Sequence, residues 1–228
     1  MTAGRKAAVA LVCCWAAFAV LAGVLAAHGW GPFGFEQAVL DWCVGHRPPG
    51  ATTVATMVTA LGSAPLPYLM ALAAGALMVR RVPKPVALVL FAPTVWLLLG
   101  QGLRQLLMHG FGRPRPPLAD RAVHASGFSF PSGHAFTAAA GAGLLALAVV
   151  LARPAAARLA VVGAVLFAGA VGASRVYLGV HWTLDVLGGW LLAAGWLALG
   201  LGTLLARQGR ESGAVLLDRR PAGRSSGD

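Results

Sequence analysis

Long stretches without a charged residue are the feature that most constrains this chain. Asp, Glu, Lys and Arg are absent from residues 7–35, 48–79, 85–103, 122–152, 159–174 and 186–206. An apolar helix needs about 20 residues to cross a bilayer, and only helices and closed barrels satisfy their backbone groups there. Because these stretches lack the alternating pattern of a barrel strand, the sequence predicts an all-α polytopic membrane protein.

Six transmembrane helices are expected within these stretches. The second one has an alternative, since Gly62, Pro65 and Pro67 would divide it into a short surface helix and a span. We interpret the first as a retained anchor, because its apolar run is longer than the roughly 7–15 residues of a signal peptide core. Residues 1–206 are predicted to form one domain and residues 207–228 a disordered basic tail. The expected spans lie near 7–27, 52–79, 85–108, 133–152, 158–178 and 183–206.

The distribution of basic residues predicts the orientation of the chain. Twelve of the 18 Lys and Arg residues fall on one side of the six spans, the side that also carries both termini. By the positive-inside rule this side is cytoplasmic, and segments 28–51, 109–132 and 179–182 lie outside. The net charge of +11 does not indicate a nucleic-acid partner, because such a site would cluster on a soluble module.

Five of the remaining arginines lie near the outer ends of spans three to six, where the positive-inside rule predicts few. Three sequence clusters on this side contain candidate site residues. The first cluster is the sequence RQLLMHGFGRPRPP at 104–117. Its prolines favour an extended segment that holds Arg113 and Arg115, and the planar guanidinium suits bidentate contact with phosphate. The alternative is a proline-rich turn whose arginines reach lipid headgroups.

The second cluster is the sequence FPSGHA at 130–135. Ser132 is expected to cap the fourth span, so that the backbone N–H groups of Gly133 and His134 point toward an anion. The alternative is an ordinary helix start with an incidental histidine.

The third cluster is the sequence SRVYLGVHWTLD at 174–185. His181 and Asp185 are four residues apart and would share one face of a helix. The carboxylate would then orient the imidazole as in a catalytic triad, with the histidine itself as the nucleophile. A structural His–Asp pair is the alternative, although ionisable groups in membrane spans are usually functional.

In this order, RPRP, PSGH and the arginine, histidine and aspartate of the third cluster resemble the type 2 phosphatidic acid phosphatase superfamily. The resemblance implies a six-span lipid phosphatase that needs no metal or cofactor. It also implies that His181 is the nucleophile, that Asp185 orients it and that His134 is the general acid. The implied phosphate ligands are Arg115, Ser132, Gly133 and Arg175.

One position departs from the family pattern. The family usually has a lysine seven residues before Arg115, and here that position is Met108. Arg104 lies one helical turn earlier on roughly the same face. We therefore include Arg104 as a candidate phosphate ligand, with the alternative that it only anchors the third span.

The expected activity is removal of a phosphate from a membrane lipid, at a site formed by the outer ends of spans three to six. The short loops favour undecaprenyl diphosphate as substrate, with phosphatidylglycerophosphate and phosphatidic acid as alternatives. Vanadate-dependent halide oxidation is disfavoured, because those enzymes are larger and soluble. A non-catalytic lipid-phosphate binder or transporter would need the arginines but not the two histidines and Asp185.

Overall fold

The part of the chain that the structure describes forms eight α-helices. The computed structural model describes residues 3–218 except 64, 80 and 82–84, and of residues 207–218 it describes the backbone alone. The described residues contain no strand, so the all-α prediction is confirmed. Short 3₁₀ turns occur at Leu118–Asp120 and Pro154–Ala156. The helices are α1 (Ala3–Ala27), α2 (Gly34–Gly45), α3 (Pro49–Leu61), α4 (Leu66–Val79), α5 (Val86–Phe111), α6 (Gly133–Ala152), α7 (Ala157–Tyr177) and α8 (Thr183–Asp218).

Six helical segments among the described residues are long and apolar enough to cross a membrane, as the sequence predicted. They are Gly4–Ala27, Pro49–Val79, Val86–Phe111, Gly133–Ala152, Pro154–Tyr177 and Thr183–Ala206. Helix α8 continues to Asp218, beyond residue 206, where we expected the tail to begin. Its continuation is rich in good helix formers such as Ala, Leu, Arg and Glu. The rest of the predicted disordered tail, 219–228, lies outside the described residues.

The second span is divided into two helices, with the break at the glycine and prolines that the sequence singled out. Helix α3 ends at Leu61 and α4 begins at Leu66. Helix α3 packs against α7, whereas α4 packs against α5 and α6. Residues at the break line a polar cavity, and irregular backbone at membrane depth is tolerated where it lines such a cavity.

Helix α6 is the centre of the bundle. It packs against α4, α7 and α8, and α1 covers the other side of α8. Small residues allow this close packing: a Cβ added at Gly141 would lie 2.7 Å from the carbonyl oxygen of Pro67. With α6 fixed in this way, its N-terminal residues Gly133 and His134 have a rigid support.

Helix α2 occupies the segment that the sequence predicted only as an outer loop, 28–51. Its inward face consists of Glu36, Leu40 and Cys43, which are all buried. The backbone N–H of Phe33 donates to Glu36 Oε2 at 3.0 Å, at the start of the helix. Burial in apolar surroundings raises the pKa of the Cys43 thiol. Helix α2 thus places the Glu36 carboxylate inside the bundle, although α2 is not one of the six spans.

Candidate active site

Most of the predicted site residues meet at one polar cavity of about 780 Å³. Its walls come from the break between α3 and α4, one face of α5, residues 123–127, the start of α6 and the end of α7. Ser132 and Asp185 do not line the cavity and lie fully buried next to it. The predicted residues that line it are Arg104, Arg115, Gly133, His134, Arg175 and His181.

His181 and Asp185 are paired, although not in the way the sequence suggested. Helix α7 ends at Tyr177 and α8 begins at Thr183, so His181 lies in the turn between them rather than on a helix. Gly179 makes this turn with φ +67°, and a Cβ there would lie 2.3 Å from the carbonyl oxygen of Asp120. Asp185 Oδ2 accepts a hydrogen bond from the Trp182 N–H at 2.8 Å and lies 3.4 Å from His181 Nδ1. The prediction of a shared helical face was therefore wrong, because α8 begins two residues after His181.

The hydrogen bonds around His181 define its tautomer. Arg115 Nη1 lies 2.9 Å from His181 Nε2, and a guanidinium can only donate. Nε2 is therefore an acceptor with its lone pair facing the arginine, and Nδ1 carries the proton toward Asp185. Burial, followed by the charges of Arg115 and Arg175, holds the pKa of His181 well below 6.5. The imidazole is consequently neutral at pH 7, as a nucleophile must be.

Arg115 is held at the cavity wall by backbone carbonyl groups. Its Nη1 donates to Val180 O at 2.7 Å, and its Nε donates to Gly127 O at 3.0 Å. Burial lowers the pKa of Arg115 to about 10, so the side chain is still charged at neutral pH.

Arg113 has different partners from Arg115, although the two residues are only two apart in the same extended segment. It is fully buried; its Nη2 lies 2.6 Å from Glu36 Oε2 and its Nη1 lies 2.7 Å from Asp185 Oδ1. Of the two arginines that the RPRP segment offered for contact with phosphate, Arg113 therefore does not line the cavity. Glu36 was not predicted as a site residue, because its only signal in the sequence is an acid four residues before Leu40.

The PSGH motif begins helix α6 as predicted, with Ser132 as the N-cap residue. Its hydroxyl makes no capping hydrogen bond, and the Oγ atom is buried without a partner among the described residues. The backbone N–H of Ser132 instead donates to Asp185 O at 3.0 Å, which joins the start of α6 to the start of α8. The next two residues, Gly133 and His134, line the cavity.

Arg104 reaches the cavity from α5. A Cβ added at Gly133 would lie 3.4 Å from the Arg104 Cζ atom, so the guanidinium lies against the start of α6. Its Nε donates to Gln101 Oε1 at 2.9 Å, its Nη2 donates to Gln105 Oε1, and its Nη1 lies 3.2 Å from Met108 Sδ. The arginine is thus next to the residue that stands at the family's lysine position.

Arg175 reaches the cavity from the last turn of α7. Its Nη1 donates to Thr59 Oγ1 at 2.9 Å, and its buried Nε has no partner among the described residues. Thr59 was not among the site residues predicted from the sequence. It lies on α3 and connects the broken second span to the cavity.

Comparison with known proteins identifies the family of this arrangement. The sequence model of the PAP2 superfamily matches residues 88–208, which is more than half of the chain. The chain belongs to the PAP2 superfamily. All three sequence clusters lie within the matched region, so the resemblance seen in the motifs is confirmed, and with it the assignment as a phosphatase.

Individual PAP2 proteins show the same relationship. Phosphatidylglycerophosphatase B of Bacillus subtilis (strain 168) is 35% identical over 162 residues, which cover 69% of this chain and 77% of the relative. Undecaprenyl-diphosphatase of Sulfolobus acidocaldarius is 43% identical over 67 residues, 29% of each chain.

A solved structure extends the likeness to the whole bundle. The transmembrane PAP2-type phosphatidylglycerolphosphate phosphatase from Bacillus subtilis is 30% identical to this chain and superimposes with a TM-score of 0.66. The match covers 87% of this chain and 96% of that protein. The protein is accordingly a multi-pass membrane protein of the PAP2 lipid phosphatase family.

Proposed function

We propose that this protein is a metal-independent membrane lipid phosphatase that works through a phosphohistidine on His181. The observation that carries the proposal is the position of His181: Nε2 lies against Arg115 at the cavity, while Nδ1 is directed at a buried carboxylate. Phosphoryl transfer requires positioning and charge stabilisation around the equatorial oxygens, and Arg104, Arg115 and Arg175 would provide both.

The first step would be attack of His181 Nε2 on phosphorus. The N–P bond forms while the bond from phosphorus to the lipid oxygen breaks, and positive charge develops on the imidazole ring. Asp185 would stabilise that charge through the Nδ1 proton. His134 starts α6 at the cavity and would donate a proton to the leaving lipid oxygen.

The second step would be hydrolysis of the phosphohistidine. A water molecule attacks phosphorus and the N–P bond breaks. His134, which lost its proton to the lipid oxygen in the first step, would accept a proton from this water. His181 leaves as neutral imidazole and inorganic phosphate is released. The backbone N–H groups at the start of α6 would stabilise the oxygens of phosphate in both steps, with Ser132 Oγ and Arg175 Nε as further donors.

Phosphatidylglycerophosphate is the first substrate candidate, because the relatives with the longest similarity are named for that lipid. Undecaprenyl diphosphate, the substrate that the sequence favoured, is the second candidate and is supported by a shorter match. For either lipid, the acyl or prenyl tail would remain in the bilayer while the phosphate enters the cavity.

The proposed orientation places the cavity on the extracytoplasmic face of the cell membrane and both termini in the cytoplasm. The uneven distribution of basic residues supports it. Under this orientation the substrate would be a lipid of the outer leaflet.

Phosphate release by detergent-purified protein tests the proposal. Phosphatidylglycerophosphate, undecaprenyl diphosphate and phosphatidic acid should be compared at equal mole fraction in mixed micelles. Rapid quenching with labelled substrate should trap an acid-labile phosphohistidine in the wild type and none in His181→Ala. A fully active His181→Ala variant would refute the assignment of the nucleophile.

Chelation tests whether a metal takes part. Activity should persist in excess EDTA, and vanadate should inhibit because its five-coordinate form resembles the transition state. Loss of activity in EDTA that magnesium restores would contradict the proposed mechanism.

A further inference from the structure

A buried ionic chain extends from His181 to helix α2, on the side away from the cavity. Asp185 lies between His181 and Arg113, and Arg113 lies between Asp185 and Glu36, with charged contacts of 2.7 Å and 2.6 Å. The side chains of Glu36, Arg113 and Asp185 are all 0% exposed. Contacts of this length with charged partners are among the strongest hydrogen bonds in proteins.

Glu36 is connected to the site in two further ways. Its Oε1 accepts a hydrogen bond from the Leu184 N–H at 3.0 Å, and Leu184 is the residue before Asp185. Its Oε2 accepts from the Phe33 N–H at the start of α2. The carboxylate therefore fixes the first turn of α8, which carries Asp185, as well as the arginine that contacts Asp185.

The charge of this chain is as informative as its geometry. Two carboxylates enclose one guanidinium, which leaves one net negative charge behind His181. If Glu36 were neutral, Arg113 and Asp185 would cancel each other and the positive charge that develops on His181 would have no net counter-charge. Burying a third ionised group costs free energy, and Arg113 and Asp185 would already form a pair without Glu36. Charge pairing alone therefore does not explain why Glu36 is buried here.

We propose that Glu36 is a positioning residue for phosphoryl transfer: through Arg113 and the first turn of α8 it holds Asp185 against His181 and keeps the net charge behind the nucleophile negative. The inference rests on the proposed role of His181 as nucleophile. It gives α2 a function, since this helix brings a carboxylate from outside the six spans to the rear of the site.

Glu36→Gln tests the inference, because it removes the charge and preserves the shape. Single-turnover formation of phosphohistidine should slow by about 10- to 100-fold, the range for losing an outer partner of a metal-bound histidine. The acid limb of this rate should move to lower pH by on the order of one unit, because removal of a negative charge lowers the proton affinity of His181. A purely structural role would reduce the amount of folded enzyme without moving that limb.

The other charged groups around His181 are unchanged in Glu36→Gln, so a shift of the acid limb would come from the lost charge of Glu36. Asp41→Asn is the matched control, because it removes an exposed carboxylate from the same helix, where its partner is Gln37. Its rate and pH profile should equal those of the wild type. The charged and titratable groups that face His181 are Arg104 on α5, Arg115 in the following loop, His134 on α6, Arg175 on α7 and Asp185 on α8.

The double variant Glu36→Gln with Arg113→Gln separates charge from position and decides the question if the single variant does not fold. It has the same net charge behind His181 as the wild type, so the acid limb should return to the wild-type position while the rate stays low. A wild-type rate in Glu36→Gln or in the double variant, or an equal shift in Asp41→Asn, would overturn the inference. Failure of the proposed function would be visible separately, as wild-type hydrolysis without any phosphohistidine.

Discussion

Arg104 provides the sharpest test of how this chain departs from its family. Its guanidinium lies against Gly133 at the start of α6, so a phosphate bound at the N–H groups there would be roughly 4 Å away. At that distance a charge pair near a protein surface interacts by about 4 kcal/mol. The part realised only in the transition state is about 2–4 kcal/mol, so Arg104→Ala should lower kcat/KM by roughly 30- to 1,000-fold.

The adjacent methionine offers a rescue. Arg104 Nη1 lies 3.2 Å from Met108 Sδ, so an ammonium group at position 108 would occupy nearly the same place. Arg104→Ala combined with Met108→Lys should therefore recover much of the lost activity.

The assay is kcat/KM for phosphate release, measured for both variants and the wild type in one detergent. Arg158→Ala removes an exposed arginine from α7 away from the cavity and is the matched control. A kcat/KM of Arg104→Ala within about threefold of that of Arg158→Ala, or no recovery of activity with Met108→Lys, would refute the role of Arg104 as a phosphate ligand.

Three further predictions concern the site and its surroundings. The low pKa of His181 keeps Nε2 unprotonated down to pH values below 6.5, so the acid limb of kcat that belongs to this residue should lie below that value; a limb above it would contradict the neutral tautomer. Thr59→Val removes the acceptor of Arg175 Nη1 and should raise KM by roughly fivefold, about 1 kcal/mol, whereas Thr53→Val at an exposed position of the same helix should not. In a cysteine-free background, Ala119→Cys should react with an impermeant maleimide in intact cells and Ala155→Cys should not; the opposite labelling would reverse the proposed orientation.

The sequence predicted the parts of this structure that depend on local pattern. Charge-free stretches located all six spans, because a bilayer-spanning helix must be apolar over about 20 residues. The glycine and prolines between α3 and α4 correctly indicated a break, since they disfavour a continuous helix. The ordered motifs likewise identified residues that line a single cavity.

Contacts between residues far apart in the chain could not be predicted from the sequence pattern. The contact of Arg113 with Glu36 joins residues far apart in the chain, and its existence depends on where α2 docks. Arg113 and Arg115 look equivalent in RPRP, and residues two apart in an extended segment would share a face, yet Arg113 contacts Glu36 and Asp185 whereas Arg115 contacts His181. Thr59 was missed for a related reason: a threonine inside an apolar helix gives no sign of the arginine that it contacts.

The arrangement of charge around His181 connects these observations. On the cavity side the described lining residues include Arg104, Arg115 and Arg175 and no carboxylate, which suits a site that attracts a phosphate dianion. Such a wall alone would oppose the reaction, because it repels the positive charge that forms on the histidine. The two carboxylates lie on the other side of the imidazole, where they do not repel the substrate. Arg113 makes this separation possible, since it allows Glu36 and Asp185 to be buried together without direct repulsion. The same protein region can therefore bind an anion on one side of the imidazole and stabilise a cation on the other, which a uniformly basic pocket could not do.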